Sequence, residues 1–275
     1  MSKFGHYTSQ KGLLGIVKEE KLWATNIKFL NDEQEFQHAI KLINEIIPKA
    51  TITEASSNYS VYIKYIEAIE KKLMSLDSFK TDSIYTFSVS EELDLLSQWR
   101  GYCPENNGDC VTLNTDGVFN DIKEIYPNSY LQKCVYNQEK KESELKAVLN
   151  KFWLQYSALS SKKEQASIVD SLASEIALLA SHFKHSSFSE ENEWRIIIML
   201  DYAADEDLKF REGKSSLIPY LELPLKWCNI KEVKIGPTSN KTLSMKAISL
   251  FIEKKHGDPF TMPDITHSDT PYRPW

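Results

Sequence analysis

The chain has 275 residues, 41% of them hydrophobic and 26% charged, with a formal net charge of −6. This is enough for a substantial core, and the negative balance argues against a general phosphate-binding surface, since nonspecific nucleic-acid affinity comes mostly from Lys and Arg neutralising phosphates. No apolar run approaches the roughly 20 residues of a membrane helix, and MSKFGHYTSQ lacks the apolar segment of a secretory signal, so a soluble, cytoplasmic protein without membrane contact is expected.

In chain order, FGHYTS predicts a short strand running into a polar turn, and KGLLGIVKEEKL carries apolar residues at helical spacing. LWATNI, residues 22–27, predicts a second strand. Asn31 or Asp32 then caps a helix to about residue 47, stopped by Pro48. Residues 59–76 repeat Tyr and Ile at spacings of three and four, an amphipathic helix. Residues 83–90 (SIYTFSVS) alternate and are β-rich, ELDLLSQWRGYC predicts a short helix, and PENNGD, residues 104–109, is a loop before the strand CVTLN. A further strand is expected over 129–136, then two long helices over 139–184 broken near Ser160 and Ser161. SFSEENEWRIIIML and KEVKIGP supply strands, and LSMKAISLFIEKKHG is a helix with Gly257 just past its end. With no internal repeat or linker, one α+β domain over 1–275 with a helical insertion at about 139–184 is the simplest organisation.

The cysteines, Cys103, Cys110, Cys134 and Cys228, show no CxxC pairing, fit a reducing compartment and read as mostly structural, although Cys103 and Cys110 flank a loop that leaves exposure open to them. GxSxG, GxxxxGK[ST], GxGxxG and HExxH are all absent, so hydrolase, nucleotide-fold and zinc readings lack a motif and no metal is expected. Two readings stand for the acids of residues 187–200. If the strand begins near Glu191, alternation puts Glu191, Glu193 and Arg195 on one face, either as a solvated ladder or as a paired-carboxylate site. Trp99, Arg100 and Tyr102 join a flat ring, a cation and a phenol, as a packing anchor or as a stacking surface for a planar base.

The order FGHYTS, LWATNIKFLNDEQEF, TFSVSEELDLLSQWRGY, SFSEENEWRII, KIGP and PYR resembles a widespread bacterial family catalogued only as a domain of unknown function. That layout is in turn similar to a divergent ADP-ribosyltransferase, which implies an α+β fold with a mixed, mostly antiparallel β core surrounded by helices. The resemblance implies NAD as substrate, with cleavage of the nicotinamide–ribose bond and transfer of ADP-ribose to a macromolecular acceptor, in bacterial antiviral defence or a toxin system. It places His6, Tyr7 and Thr8 at the early-strand position that contacts NAD, and Ser88 with Ser90 at the middle one. Glu193 falls at the catalytic glutamate, with Glu191 completing Glu-x-Glu. Asn31, Trp99 and Tyr102 are candidate NAD contacts, Tyr102 or Tyr85 taking the stacking role. A noncatalytic nucleotide-sensing or scaffold module of the same fold and an NAD glycohydrolase are the alternatives, with a metal-assisted nuclease or hydrolase third. The helical insertion is open to a regulatory protein partner.

Overall fold

The computed structural model describes residues 2–30, 33–47, 59–79, 83–103, 108–200, 206–213, 215–257 and 261–271. Strand β1, Lys3–Ser9, passes into helix α1, Gln10–Glu19, through Ser9, whose side chain accepts a hydrogen bond from the Gly12 amide at 3.2 Å. Glu20, left-handed at φ 52°, ends that helix. Strand β2, Lys21–Asn26, stops one residue short of expectation because the Asn26 side chain accepts from the Lys28 amide and turns the chain into a 3-10 segment. Helices α2, Glu33–Ile46, and α3, Tyr59–Phe79, follow; Asn31, Asp32 and Pro48 lie outside the described residues.

Next come β3, Ile84–Ser90, α4, Leu96–Tyr102, β4, Gly108–Asn114, α5, Thr115–Ile125, and β5, Ser129–Lys133. Helices α6, Gln138–Ser157, and α7, Lys162–Ala180, break where the sequence places the break. The chain closes with β6, Glu193–Met199, β7, Leu208–Glu212, β8, Leu217–Pro224, β9, Ile230–Ile235, α8, Lys241–His256, and β10, Asp264–His267. Gly257, at φ 65°, ends α8 in the left-handed region where glycine carries no Cβ penalty. Helix α5 and strands β7, β8 and β10 were not foreseen. In β8, Pro219 and Pro224 argue against a strand on sequence grounds, yet β8 pairs antiparallel with both β2 and β7.

The architecture is α+β with a mostly antiparallel open sheet in the order β10-β9-β4-β1-β3-β2-β8-β7, with β6 against β3 and β5 against β6. The β10–β9 pair is parallel. Alternation along the strands divides the core. Tyr85, Phe87 and Val89 of β3 and Ile196 and Ile198 of β6 pack with α1, α5 and α8 on one face. On the other, Ile84 and Ile197 join α2, α3, α6 and α7 in a second cluster. Helices α6 and α7 therefore share a core with the sheet and with α2 and α3.

Candidate active site

The site opens where the sheet splits. Strand β3 pairs with β6 along its whole length, from Ile84↔Met199 to Ser90↔Glu193. On its other edge β2 takes Tyr85 and Thr86, while β1 registers only at Gly5↔Ser90. No described residue of β1 or β2 pairs with residues 87–89 there, and a cleft of about 420 Å³ lies at this opening. A smaller pocket, about 50 Å³, adjoins it, and His6, Tyr7, Ser88, Tyr102 and Glu193 line both.

His6 fills the gap between the diverging strands. Its ring lies 4.6 Å from that of Phe87, and Nδ1 is 3.0 Å from the Ser88 carbonyl oxygen. With Nδ1–H donating there, Nε2 is the ring's acceptor. Burial lowers the imidazole pKa against a smaller opposing effect of the Ser88 bond, which favours the neutral ring.

The acids are not a solvated ladder. Glu193 is 5% exposed, Glu191 8%, Arg195 3% and Lys184 3%. The Lys184 ammonium donates to Glu191 Oε2 at 2.6 Å and to Glu193 Oε2 at 2.7 Å, so one cation bridges both carboxylates. Arg195 Nε donates to Glu193 Oε1 at 2.8 Å and its NH2 to Oε2 at 3.3 Å, while NH1 donates to the Ser181 carbonyl. Burial alone would raise the Glu193 pKa, but the charges and hydrogen bonds of Arg195 and Lys184 outweigh it and hold the carboxyl down at about 2. Two acids and two bases form a buried quartet of balanced formal charge with Glu193 at its centre.

Glu191 reaches this quartet by another route than alternation. Strand β6 begins at Glu193, Ser186–Glu191 is a 3-10 turn, and Asn192 between them is left-handed at φ 43°. That single reversal, tolerated by Asn, returns Glu191 to the side on which Glu193 and Arg195 project. The Glu193 amide donates to the Tyr136 hydroxyl at 2.9 Å, fixing the strand's first residue.

The remaining candidates divide into cleft-lining and structural groups. Thr8 and Tyr102 line the cleft, and Tyr102 is 39% exposed. Burial, then the neighbouring Glu191 carboxylate, pushes the Tyr102 phenol up to about 12, so it stays protonated. Ser88 lines the cleft too, and its hydroxyl has no hydrogen-bond partner among the described residues. Ser90, by contrast, is committed: it donates to the Glu191 carbonyl at 2.6 Å and accepts from the Glu92 amide at 2.9 Å, tying β3 to the acid turn. Tyr7 is buried, donates to the Glu92 carbonyl and accepts from the Leu95 amide.

Trp99 is 1% exposed, edge-on to Tyr7, and its indole donates to Asp94 Oδ1 at 2.7 Å. It anchors α4, where the sequence left a stacking platform open. Tyr85 is buried on the opposite sheet face, so of the two stacking candidates only Tyr102 reaches the cleft. Asn31 lies outside the described residues. Cys103, Cys110 and Cys134 are buried, in keeping with a mostly structural reading, and Cys228 is exposed. Among the described residues, no group of three or more His, Cys, Asp or Glu could hold a metal ion. No helix among them is long and apolar enough to cross a membrane.

Sequence reasoning missed Lys184. Its signal is faint: a single ammonium at the end of the apolar run ALLASHFK, expected as the last residue of a helix to 184, whereas α7 ends at Ala180 and Lys184 lies in the connection beyond it. It missed Arg211 as well, because β7 was not foreseen.

Residues 98–196 match the family model described as Protein of unknown function (DUF2971). The matched stretch runs from α4 into β6 and so takes in Tyr102, Lys184, Glu191, Glu193 and Arg195, but not His6 or Ser88. No curated protein and no solved structure matches the chain.

Proposed function

We propose that the chain is an NAD-consuming enzyme of ADP-ribosyltransferase type that cleaves the nicotinamide–ribose bond and transfers ADP-ribose to a macromolecule. One observation carries this reading: His6 of β1, Ser88 of β3 and Glu193 of β6 line a single cleft. These are the early-, middle- and late-strand positions on which such sites are built. The cleft's volume also falls within the roughly 300–1,000 Å³ of small-molecule sites.

In the reaction, the bond from the ribose C1′ to the pyridinium nitrogen breaks and its electron pair leaves with nicotinamide. Positive charge develops at C1′ and the ring oxygen. A carboxylate accepting a hydrogen bond from the neighbouring ribose hydroxyl stabilises that charge where it forms. Glu193 suits this role because Arg195 and Lys184 keep it ionised at any physiological pH, which favours electrostatic work over proton donation. The acceptor's lone pair closes the new bond to C1′, and its proton passes to Glu191 or to water.

The double clamp also favours a second reading. With Oε1 and Oε2 already accepting from Arg195 and Lys184, Glu193 has fewer lone pairs to offer a ribose hydroxyl, as expected of a nucleotide-sensing module that binds without turnover. Incubation with NAD labelled in its adenylate half, in EDTA, alone and with protein and nucleic-acid fractions, separates the two. Nicotinamide release with label entering one fraction is the expected result. Release without transfer identifies an NAD glycohydrolase, binding without release identifies the sensing module, and absence of NAD binding overturns both readings.

A further inference from the structure

Four residues along β3 separate Ser90, opposite Glu193, from Thr86, opposite Thr25 of β2. At the strand rise this is about 13 Å, long enough for the ribose and diphosphate of a dinucleotide to lie between. At that second end stands Arg211 of β7, which reaches past β8 to β2 and donates through NH2 to Thr25 Oγ1 at 3.1 Å. Its Nε is buried without a hydrogen-bond partner, and no carboxylate pairs with it among the described residues. The guanidinium carbon lies 5.7 Å from the centre of the Trp23 ring, and Trp23 is exposed. Thr86 is buried beside it, and its hydroxyl also lacks a partner. All four side chains line the cleft.

A cation kept for packing would pair with an acid or extend its head to water. Arg211 has no acid partner among the described residues and its Nε is buried away from water, while the half-buried side chain faces the cleft; a guanidinium edge matches phosphate oxygens with two parallel charge-assisted hydrogen bonds. The exposed indole beside it, against which Tyr220 lies tilted at 4.7 Å, adds an aromatic surface for a base. We propose that Arg211 and Thr86 hold the diphosphate of a bound dinucleotide and that Trp23 carries its base, an assignment that rests on the reading of the cleft as a dinucleotide site. Lys184 and Arg195 are spent on Glu191 and Glu193, which leaves Arg211 as the cation of this cleft without an acid partner among the described residues.

The test titrates ADP-ribose and adenosine into the wild type, R211M and T86V by calorimetry at two salt concentrations, with melting curves as the folding control. R211M is expected to weaken ADP-ribose binding about tenfold or more and to flatten its salt dependence, with adenosine affinity unchanged. T86V removes a hydroxyl that has no partner in the fold, so it should melt no lower than the wild type, yet bind ADP-ribose several-fold more weakly. If R211M melts below the titration temperature, T86V decides. Equal ADP-ribose affinity in wild type and variants overturns the subsite while nicotinamide release leaves the transferase reading standing. Lost affinity in a protein that releases no nicotinamide upholds the subsite and removes the transferase. A wild type that binds no ADP-ribose removes both.

Discussion

Glu193 is held by the two cations that determine its chemistry, so replacing it tests the site and the fold together. In Glu193→Gln the amide keeps the shape but loses the charge, and Arg195 and Lys184 remain buried, Lys184 still paired with Glu191. Breaking a buried pair costs about 3–5 kcal/mol, and Glu191 should hold the loss near the lower figure, enough to lower the melting temperature by several degrees. Assayed below that temperature, the variant should release no nicotinamide while its NAD affinity stays within several-fold; near wild-type turnover would remove Glu193 from catalysis. His6→Ala should do the reverse. Its ring contacts the Ser88 carbonyl at the cleft's opening and carries no charge to stabilise, so the change is expected in KM more than in kcat. An unchanged KM for NAD would take His6 out of the binding site. Most of these residues were legible because each sits on a strand whose alternation shows in the letters. Lys184 was not, since its role depends on a turn that returns the chain to the acids, and no periodicity records that.

At the scale of the element, the turn before β6 decides whether Glu191 belongs to the site. Asn192 alone takes the left-handed conformation there, its amide donates to the Ser189 carbonyl, and its own carbonyl accepts from the Glu91 amide. A β-branched side chain cannot adopt that conformation without strain, whereas glycine can. Asn192→Val should therefore cost about 1–2 kcal/mol and lower turnover by moving Glu191 from Lys184, whereas Asn192→Gly should stay close to wild type in both. Denaturant unfolding and nicotinamide release read the pair, and equal behaviour of Val and Gly would show that the left-handed residue is not what places Glu191. Here the sequence misled for a physical reason. Glu-x-Glu-x-Arg has the period of a strand, and a reversal at Asn192 yields the same convergence from a 3-10 turn. The core strands were legible from alternating apolar residues, while β7 and β8 were hidden by Lys209, Arg211, Pro219 and Pro224, whose placement only the pairing of β8 with β2 and of β7 with β8 explains. The split edge of β3 was beyond the sequence as well, because it depends on where β1 and β2 let go of one strand.

For the molecule as a whole, two buried carboxyls pull stability in opposite directions with pH. Glu193, held down at about 2, contributes stability above its unfolded pKa and loses it as pH falls from about 4.5 towards 2. Asp109 is the converse: it is 0% exposed on β4, neither oxygen has a hydrogen-bond partner, and burial raises its pKa from 3.8 to about 7. A raised carboxyl favours the protonated fold, so its contribution is fully present below pH 4 and is lost as pH rises through 7, a difference of about 4 kcal/mol. His6 and His256, both shifted downward chiefly by burial, lose stability as pH falls below their ordinary 6.5, so the raw profile mixes three sites over one range. Asp109→Asn isolates its own share, because the amide mimics the protonated acid and the histidines cancel in the difference from wild type. The variant should match the wild type at pH 4, gain on it progressively up to about pH 7 and hold that advantage at higher pH. Melting temperatures of both proteins from pH 4 to 9 measure this, and a difference that stays constant across the range would mean that Asp109 is ionised in the fold, with a counter-charge holding it there.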